Sequence, residues 1–351
     1  MNKYIFLSLL CPWVILTSCQ DTPSTHSPVK EIHIADFEGK FLPQTELPLM
    51  QHLELREDTT GYIGQIKDIC AIDSGLYLLD AATLSLSRFG LKDGKLQQTI
   101  YGRGNGPLEY IQPAALTADE SNVYVLDLPG MAIITYNRDL KAQKKTTLSV
   151  PCFDFIKVDG GFLCYNLTPS DDFQPLIFID DEGHLKKSFQ VSHQNLPLTT
   201  GAKIFTSNAR KDIFIQPPFS RTVYKWDAQK EKPIEYIRLD FGNKNLPEEI
   251  NGEMTDPFDE PYAIPTHCFV GEESILCSFL YNDKRYYALS QPGKAIKTGQ
   301  IIPQQTAPFF PQWQIGDMTI GTYSGDFSSD DSSDSTGEML LLFGLNAIED
   351  R

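Results

Sequence analysis

Three pairs of residues recur in one register: Tyr77 and Tyr124, Asp80 and Asp127, and Phe89 and Tyr136 are each 47 residues apart. Around them the chain reads Asp73-Ser-Gly-Leu-Tyr-Leu-Leu-Asp80 and then Asn122-Val-Tyr-Val-Leu-Asp127, each followed by a short apolar strand. A repeat of this length, built from short strands and Gly/Asp turns, predicts the blades of a β-propeller. Between the two copies runs the glycine-rich Gly102-Arg-Gly-Asn-Gly-Pro-Leu-Glu-Tyr110.

Each blade should show an inner strand, a tight turn, a strongly apolar second strand and one or two alternating outer strands. Five copies are legible, with second strands at 76–79, 123–126, 162–165, 213–215 and 275–279. A sixth follows from closure. Strands at 312–315, 318–323 and 339–345 form the C-terminal end, and an unassigned alternating strand lies at 50–55. Sharing a blade between the chain ends removes exposed edges, so residues near Leu53 should pair with the strand near Leu341. The predicted fold class is all-β: a six-bladed β-propeller whose last blade is closed by an N-terminal strand. Helical periodicity is nearly absent, apart from one turn expected at 246–250. The longest gap between repeats, 242–265, reads as a loop excursion of the kind that often carries function.

At 41% hydrophobic and 11% aromatic residues the chain can bury a large core. A formal charge of −16 and a pI near 4.8 argue against nucleic acid, whose phosphates require clustered Lys and Arg. At the N-terminus, Lys3 precedes an apolar stretch over 4–16, too short to span a bilayer comfortably, that ends in Leu16-Thr-Ser-Cys19. The expected organisation is a lipoprotein signal peptide over 1–18, a flexible tether over 19–46 and the propeller over 47–351. Cys19 is the expected lipidation site, and no later stretch has 18 consecutive apolar residues. The membrane would then be met through the lipid alone. Five cysteines remain after processing. Cys268 and Cys277 flank Gly271-Glu-Glu-Ser274 and should face each other across adjacent strands, either as a cross-strand disulfide or as two buried thiols.

Together, the strand, the Tyr-Val-Leu-Asp element, the Phe or Tyr strand and the Gly-Pro-Leu-Glu-Tyr run resemble the six-bladed β-propeller lipoproteins of Bacteroidota envelopes. These are themselves similar to NHL-repeat and TolB-like propellers. The resemblance spans about 48–351 and implies a fold and a cell-envelope compartment, lipid-anchored and outer-membrane, with the leaflet open. It brings no catalytic set.

The run at 102–110 is not a phosphate loop: it lacks Gly-Lys-Ser/Thr and leads into a strand. Its glycines are expected to permit positive φ between blades, with Glu109 pairing with Arg103 or backbone amides. Asp80 and Asp127 are expected to hydrogen-bond the backbone of the following turn, the alternative being a partial ring of carboxylates. A candidate binding face comprises Arg103, Glu109, Tyr110, Phe173, Phe219 and Tyr281, whose rings would stack on sugars or pack on a partner unless they fold back over their own blades. Asp326, Asp330, Asp331, Asp334 and Glu338, within the acidic run 324–338, offer hard oxygen ligands at spacings that miss a calcium loop. Asp58-Thr-Thr60 and Asp334-Ser-Thr336 match a short O-glycosylation pattern. No histidine spacing marks a transition-metal site, and no nucleophile elbow is present. The functional expectation is a lipid-anchored, non-catalytic binding module for an envelope protein, peptide or glycan, acting as a monomer or as a subunit of an envelope complex. No cofactor is expected. The alternative is a calcium-dependent, lactonase-like hydrolase with the metal in the central channel.

Overall fold

The computed structural model describes residues 29–58, 61–170, 174–192, 201–247, 261–301, 309–324 and 338–345. They form six antiparallel sheets arranged as a β-propeller. From the inner strand outwards, blade 1 comprises Ile66–Ile72, Gly75–Asp80, Ser85–Gly90 and Leu96–Ile100. Blade 2 comprises Pro113–Ala118, Asn122–Asp127, Ala132–Asn137 and Ala142–Thr147. Blade 3 comprises Asp154–Val158, Gly161–Tyr165, Leu176–Asp180 and Leu185–Phe189. Blade 4 comprises Phe205–Ser207, Ile213–Ile215, Thr222–Asp227 and Lys232–Asp240. Blade 5 comprises Ile264–Val270, Ile275–Tyr281, Lys284–Ser290 and Lys297–Ile301. In blade 6, Pro311–Ile315, Met318–Ser324 and Glu338–Gly344 are completed by Leu49–Glu54 from the other end of the chain. That closure has Leu53 opposite Leu340 and His52 opposite Leu341, as the sequence predicts.

Second strands read as unbroken apolar runs because both of their faces are covered. Every residue of Gly75–Asp80 is buried. Alternation sends Leu76 and Leu78 into the seam with blade 6 and Tyr77 and Leu79 into the seam with blade 2. Each of the six seams holds its own apolar cluster, so the core is a ring of wedges. The repeat pairs are equivalent in space as well as in sequence. Tyr77 and Tyr124 fill the seam after their blade, and Phe89 and Tyr136 the seam before it.

The N-terminal segment corrects one expectation. Residues 30–46, read as part of a tether, belong to the folded body. Lys30–His33 adds in parallel to the outer strand of blade 4, and Phe41–Leu42 adds in parallel to the outer strand of blade 5. Ile32, Ile34, Phe37, Leu42 and Leu47 are all buried. Phe37 packs edge-on against Phe279, Tyr281 and Tyr286, with ring centroids 4.8, 5.3 and 4.9 Å away, and Lys244 lies 4.8 Å from its ring. The apolar residues that do this are spaced singly among polar ones, so composition over the whole segment conceals them. The segment covers the outer edges of two consecutive blades, which would otherwise present unpaired backbone groups.

The only helical pieces among the described residues are 3-10 turns at Gln44–Glu46 and Gly242–Lys244. The turn expected at 246–250 lies largely outside the described residues. No helix among them is long and apolar enough to cross a membrane.

Candidate functional site

Turns between second and third strands, and connections between blades, share one end of the ring, here called the upper face. Two buried carboxylates organise it. Asp80 Oδ2 accepts the amides of Gly64 and Gln65 at 2.7 and 2.8 Å, while its Oδ1 accepts that of Thr83 at 2.7 Å. Asp127 accepts the amides of Ile111 and Gln112, each at 3.0 Å. These residues therefore staple the incoming connection to their blade, and Asp80 also holds the following turn. Buried carboxylates satisfied by amides in this way fix loop position. Asn166 does the same in blade 3, donating to the Pro151 carbonyl at 3.0 Å and accepting the Thr168 amide at 2.8 Å.

The glycine run at 102–110 has a different purpose from the one expected. None of Gly102, Gly104 and Gly106 has positive φ. Close approach explains them. A Cβ on Gly102 would lie 2.8 Å from the Tyr110 ring, and one on Gly104 would lie 1.9 Å from the Glu109 carboxylate. Glu109 accepts the Gly106 amide at 2.7 Å, which agrees with the amide pairing expected for it.

Of the six residues expected on the binding face, Arg103 and Glu109 are exposed. Tyr110 is fully buried: its hydroxyl donates to the Leu84 carbonyl at 2.8 Å and accepts the Gly102 amide at 3.2 Å. Burial pushes its pKa up to about 12. Tyr110 locks the connection and offers nothing to a ligand. Phe219 and Tyr281 are also buried, Tyr281 beneath Phe37. Large rings at strand ends fold back because the seams have room for them and burial is favourable. Phe173, Cys19, the four aspartates of the acidic run and both threonines of the Asp58-Thr-Thr60 motif lie outside the described residues. Glu338 instead begins the third strand of blade 6.

A different set of side chains is exposed on the upper face. Tyr62, Tyr101, Ile111 and Phe310 lie on inter-blade connections, and Leu128 and Met131 on the blade 2 turn. Tyr62 and Tyr101 are 62% and 57% exposed. Phe310 carries the Arg285 guanidinium 4.4 Å above its ring. The three other large apolar residues exposed among the described ones, Val29, Phe41 and Met50, belong to the N-terminal segment. Sequence reasoning missed the upper-face set because it looked for rings within turns, whereas most of these flank the acidic staples.

At the axis, inner strands present the amides they do not use within their own sheets. Asp68 of blade 1 accepts the Leu116 amide of blade 2 at 2.7 Å, and Asp154 of blade 3 accepts the Ile204 amide ahead of blade 4 at 2.8 Å. Lys203 reaches between them. Its Nζ bonds Asp68 Oδ2, donates to the Leu116 carbonyl at 2.7 Å and lies 3.7 Å from Asp154 Oδ1. The side chains of Asp68, Asp154 and Lys203 are 5%, 7% and 17% exposed. Burial pushes the Asp68 carboxyl up, against the pull of Lys203. Burial also opposes the charge on Lys203, but the two carboxylates outweigh it and hold the ammonium above its ordinary value. At the lower end, the blade 4 turn over 208–211 leans across the axis. Arg210 pairs with Glu272 of blade 5 at 2.9 Å, Lys211 pairs with Glu120 of blade 2, and Ala209 donates to Asp317 of blade 6 at 3.4 Å.

This donor set does not fit the metal of the alternative reading. A calcium ion needs six to eight oxygen ligands, and here an ammonium stands where the carboxylates converge. Cys268 and Cys277 do face each other across the inner strands of blade 5, with Sγ atoms 3.2 Å apart, as free buried thiols.

Solved structures with this architecture include a protein described as exported from Bacteroides fragilis NCTC 9343. It is 15% identical, with a TM-score of 0.72 over 89% of this chain and 99% of that one. A member of the DUF4221 family from Bacteroides vulgatus ATCC 8482 is 9% identical, with a TM-score of 0.57 over 85% and 97% of the two chains. These likenesses extend to the fold. No curated protein matches the sequence. The family model described as "Domain of unknown function (DUF4934)" matches residues 53–341, from the closing strand of blade 6 to its third strand, and the chain belongs to that family.

Proposed function

We propose that this chain is an exported, lipid-anchored envelope propeller that docks a protein partner on its upper face without catalysing a reaction. One observation carries the reading: Tyr62, Tyr101, Ile111, Leu128, Met131 and Phe310 are exposed on one end of the ring, while the blade seams are sealed. Grouped exposed apolar side chains mark interaction surfaces, and aromatic residues and Met are enriched at interfaces. Three of the six are aliphatic or thioether side chains, which suit a protein surface better than a sugar ring. Export and anchoring are supported by Leu16-Thr-Ser-Cys19 at the end of an apolar leader, and by the exported description of the similar Bacteroides fragilis protein. The net charge of −16 disfavours an anionic lipid surface as the occupant.

The test places a photo-cross-linking residue at Tyr101 in cells and compares it with the same residue at Glu273 on the opposite end. A discrete protein adduct from position 101 alone, lost in a Tyr62→Asp/Met131→Asp variant of unchanged melting temperature, supports the reading. Equal adducts at both positions, or an adduct indifferent to that variant, refutes it. Anchoring is tested by radiolabelled palmitate, which should enter the chain and be lost in Cys19→Ala.

A further inference from the structure

Three ligand-type side chains converge on the outer edge of blade 4, away from the axis, where its outermost strands end. The strand Lys30–His33 runs parallel to Lys232–Asp240 with His33 beside Asp240. Alternation turns Ile32 inwards, where it is buried, and leaves Glu31 and His33 outwards on one side. His33 Nδ1 lies 2.8 Å from Asp240 Oδ2, and His33 Nε2 lies 3.7 Å from Glu31 Oε2. One ligand atom from each residue lies within 4.8 Å of the other two. The second oxygen of Asp240 is engaged by the Gly242 amide at 3.0 Å and Asn245 Nδ2 at 2.8 Å. That arrangement fixes the carboxylate and leaves Oδ2 to the imidazole, as outer hydrogen bonds do for ligating carboxylates.

We propose that Glu31, His33 and Asp240 bind a divalent transition-metal ion of the zinc class and so clamp the N-terminal strand to blade 4. The donor chemistry selects the ion. One imidazole with two carboxylates suits zinc and its neighbours, whereas calcium and magnesium take oxygen ligands. Two carboxylates also balance the charge of a divalent cation beside a neutral imidazole. The exposed side of the group, with His33 and Glu31 side chains 64% and 53% accessible, leaves room for water to complete the shell. The location gives the clamp its effect. A four-residue parallel ladder at a sheet edge is weak by itself, and this one is the first strand among the described residues. Sequence reasoning could not find this site, because Glu31-Ile-His33 supplies only two of its three ligands and Asp240 lies 207 residues from His33.

The test titrates zinc alone into the full chain, without an affinity tag, by calorimetry, and follows hydrogen exchange over residues 31–34. One zinc per chain with a Kd of about 10 µM or tighter is expected. Exchange of those amides should slow by about tenfold on binding. His33→Ala should abolish both effects, and His184→Ala, at another exposed histidine, should leave them unchanged. Asp240→Asn should weaken binding, and because His33 is exposed, His33→Ala decides the matter even if Asp240→Asn disturbs the fold. No heat at about 100 µM zinc, or binding that survives His33→Ala, overturns the proposal.

Discussion

Replacing Lys203 by methionine keeps the aliphatic stem but removes the ammonium that Asp68 and Asp154 share. Asp68 Oδ2 would retain the Leu116 amide at 2.7 Å but lose its cation, in a place where its side chain is only 5% exposed. Removing one partner of a buried pair leaves an uncompensated charge and costs about 3–5 kcal/mol. For a domain of this size each kcal/mol lowers the melting temperature by about 2 °C, so Lys203→Met should melt about 6–10 °C below the parent at pH 7. The pH dependence separates this cause from lost packing. Burial already raises the Asp68 carboxyl, and removing Lys203 raises it further. A carboxyl with a folded pKa above its unfolded value favours the folded state at low pH and loses that contribution as pH rises through the folded pKa. The deficit of Lys203→Met should therefore shrink between pH 7 and pH 5, and Lys203→Met/Asp68→Asn should recover much of the loss at pH 7. Calorimetric melts of the three proteins at both pH values decide it. A Lys203→Met melt within about 2 °C of the parent at pH 7 would refute the axial pairing, as would a deficit that ignores pH.

Other expectations follow from the same kind of reasoning. His267 is held neutral down to about pH 3 by burial and by Arg285, so the unfolded chain binds a proton that the folded chain refuses. Stability should fall as pH drops from about 6.5 towards 3, by up to about 1.4 kcal/mol per unit from this group; urea titrations of His267→Leu should show a flatter acid limb. Phe37→Ala should cost about 3–5 kcal/mol and expose the N-terminal segment to protease, read by the urea midpoint and the first cleavage site. Asp127→Ala should cost about 3 kcal/mol by orphaning the amides of Ile111 and Gln112, with Asp127→Asn costing less because one acceptor remains. A thermal melt of each distinguishes them.

The architecture was legible because blades are local: every strand of blades 1 to 5 pairs mainly with its sequence neighbours, and their alternation appears directly in the chain. Closure at Leu53 was legible from the edge it had to cover. What sequence could not show was long-range or singly spaced. Ile32, Ile34 and Phe37 lie among polar residues, and their partners on blades 4 and 5 come some two hundred residues later. Lys203, Asp68 and Asp154 are unremarkable in sequence and meet only because four blades share an axis. The aromatic residues at strand ends misled for the opposite reason. Tyr110, Phe219 and Tyr281 look available in a turn, but all three are buried, Tyr110 and Tyr281 within seams wide enough to take a ring.

Because Leu49–Glu54 completes the sheet begun by Pro311–Ile315, the ring cannot shut until the last strand has left the ribosome. Until then the early blades stand as an open arc with one apolar flank wet, a state that invites aggregation. Folding of such a chain favours a holding chaperone that releases it whole, and a product truncated before residue 338 would be cleared rather than tolerated.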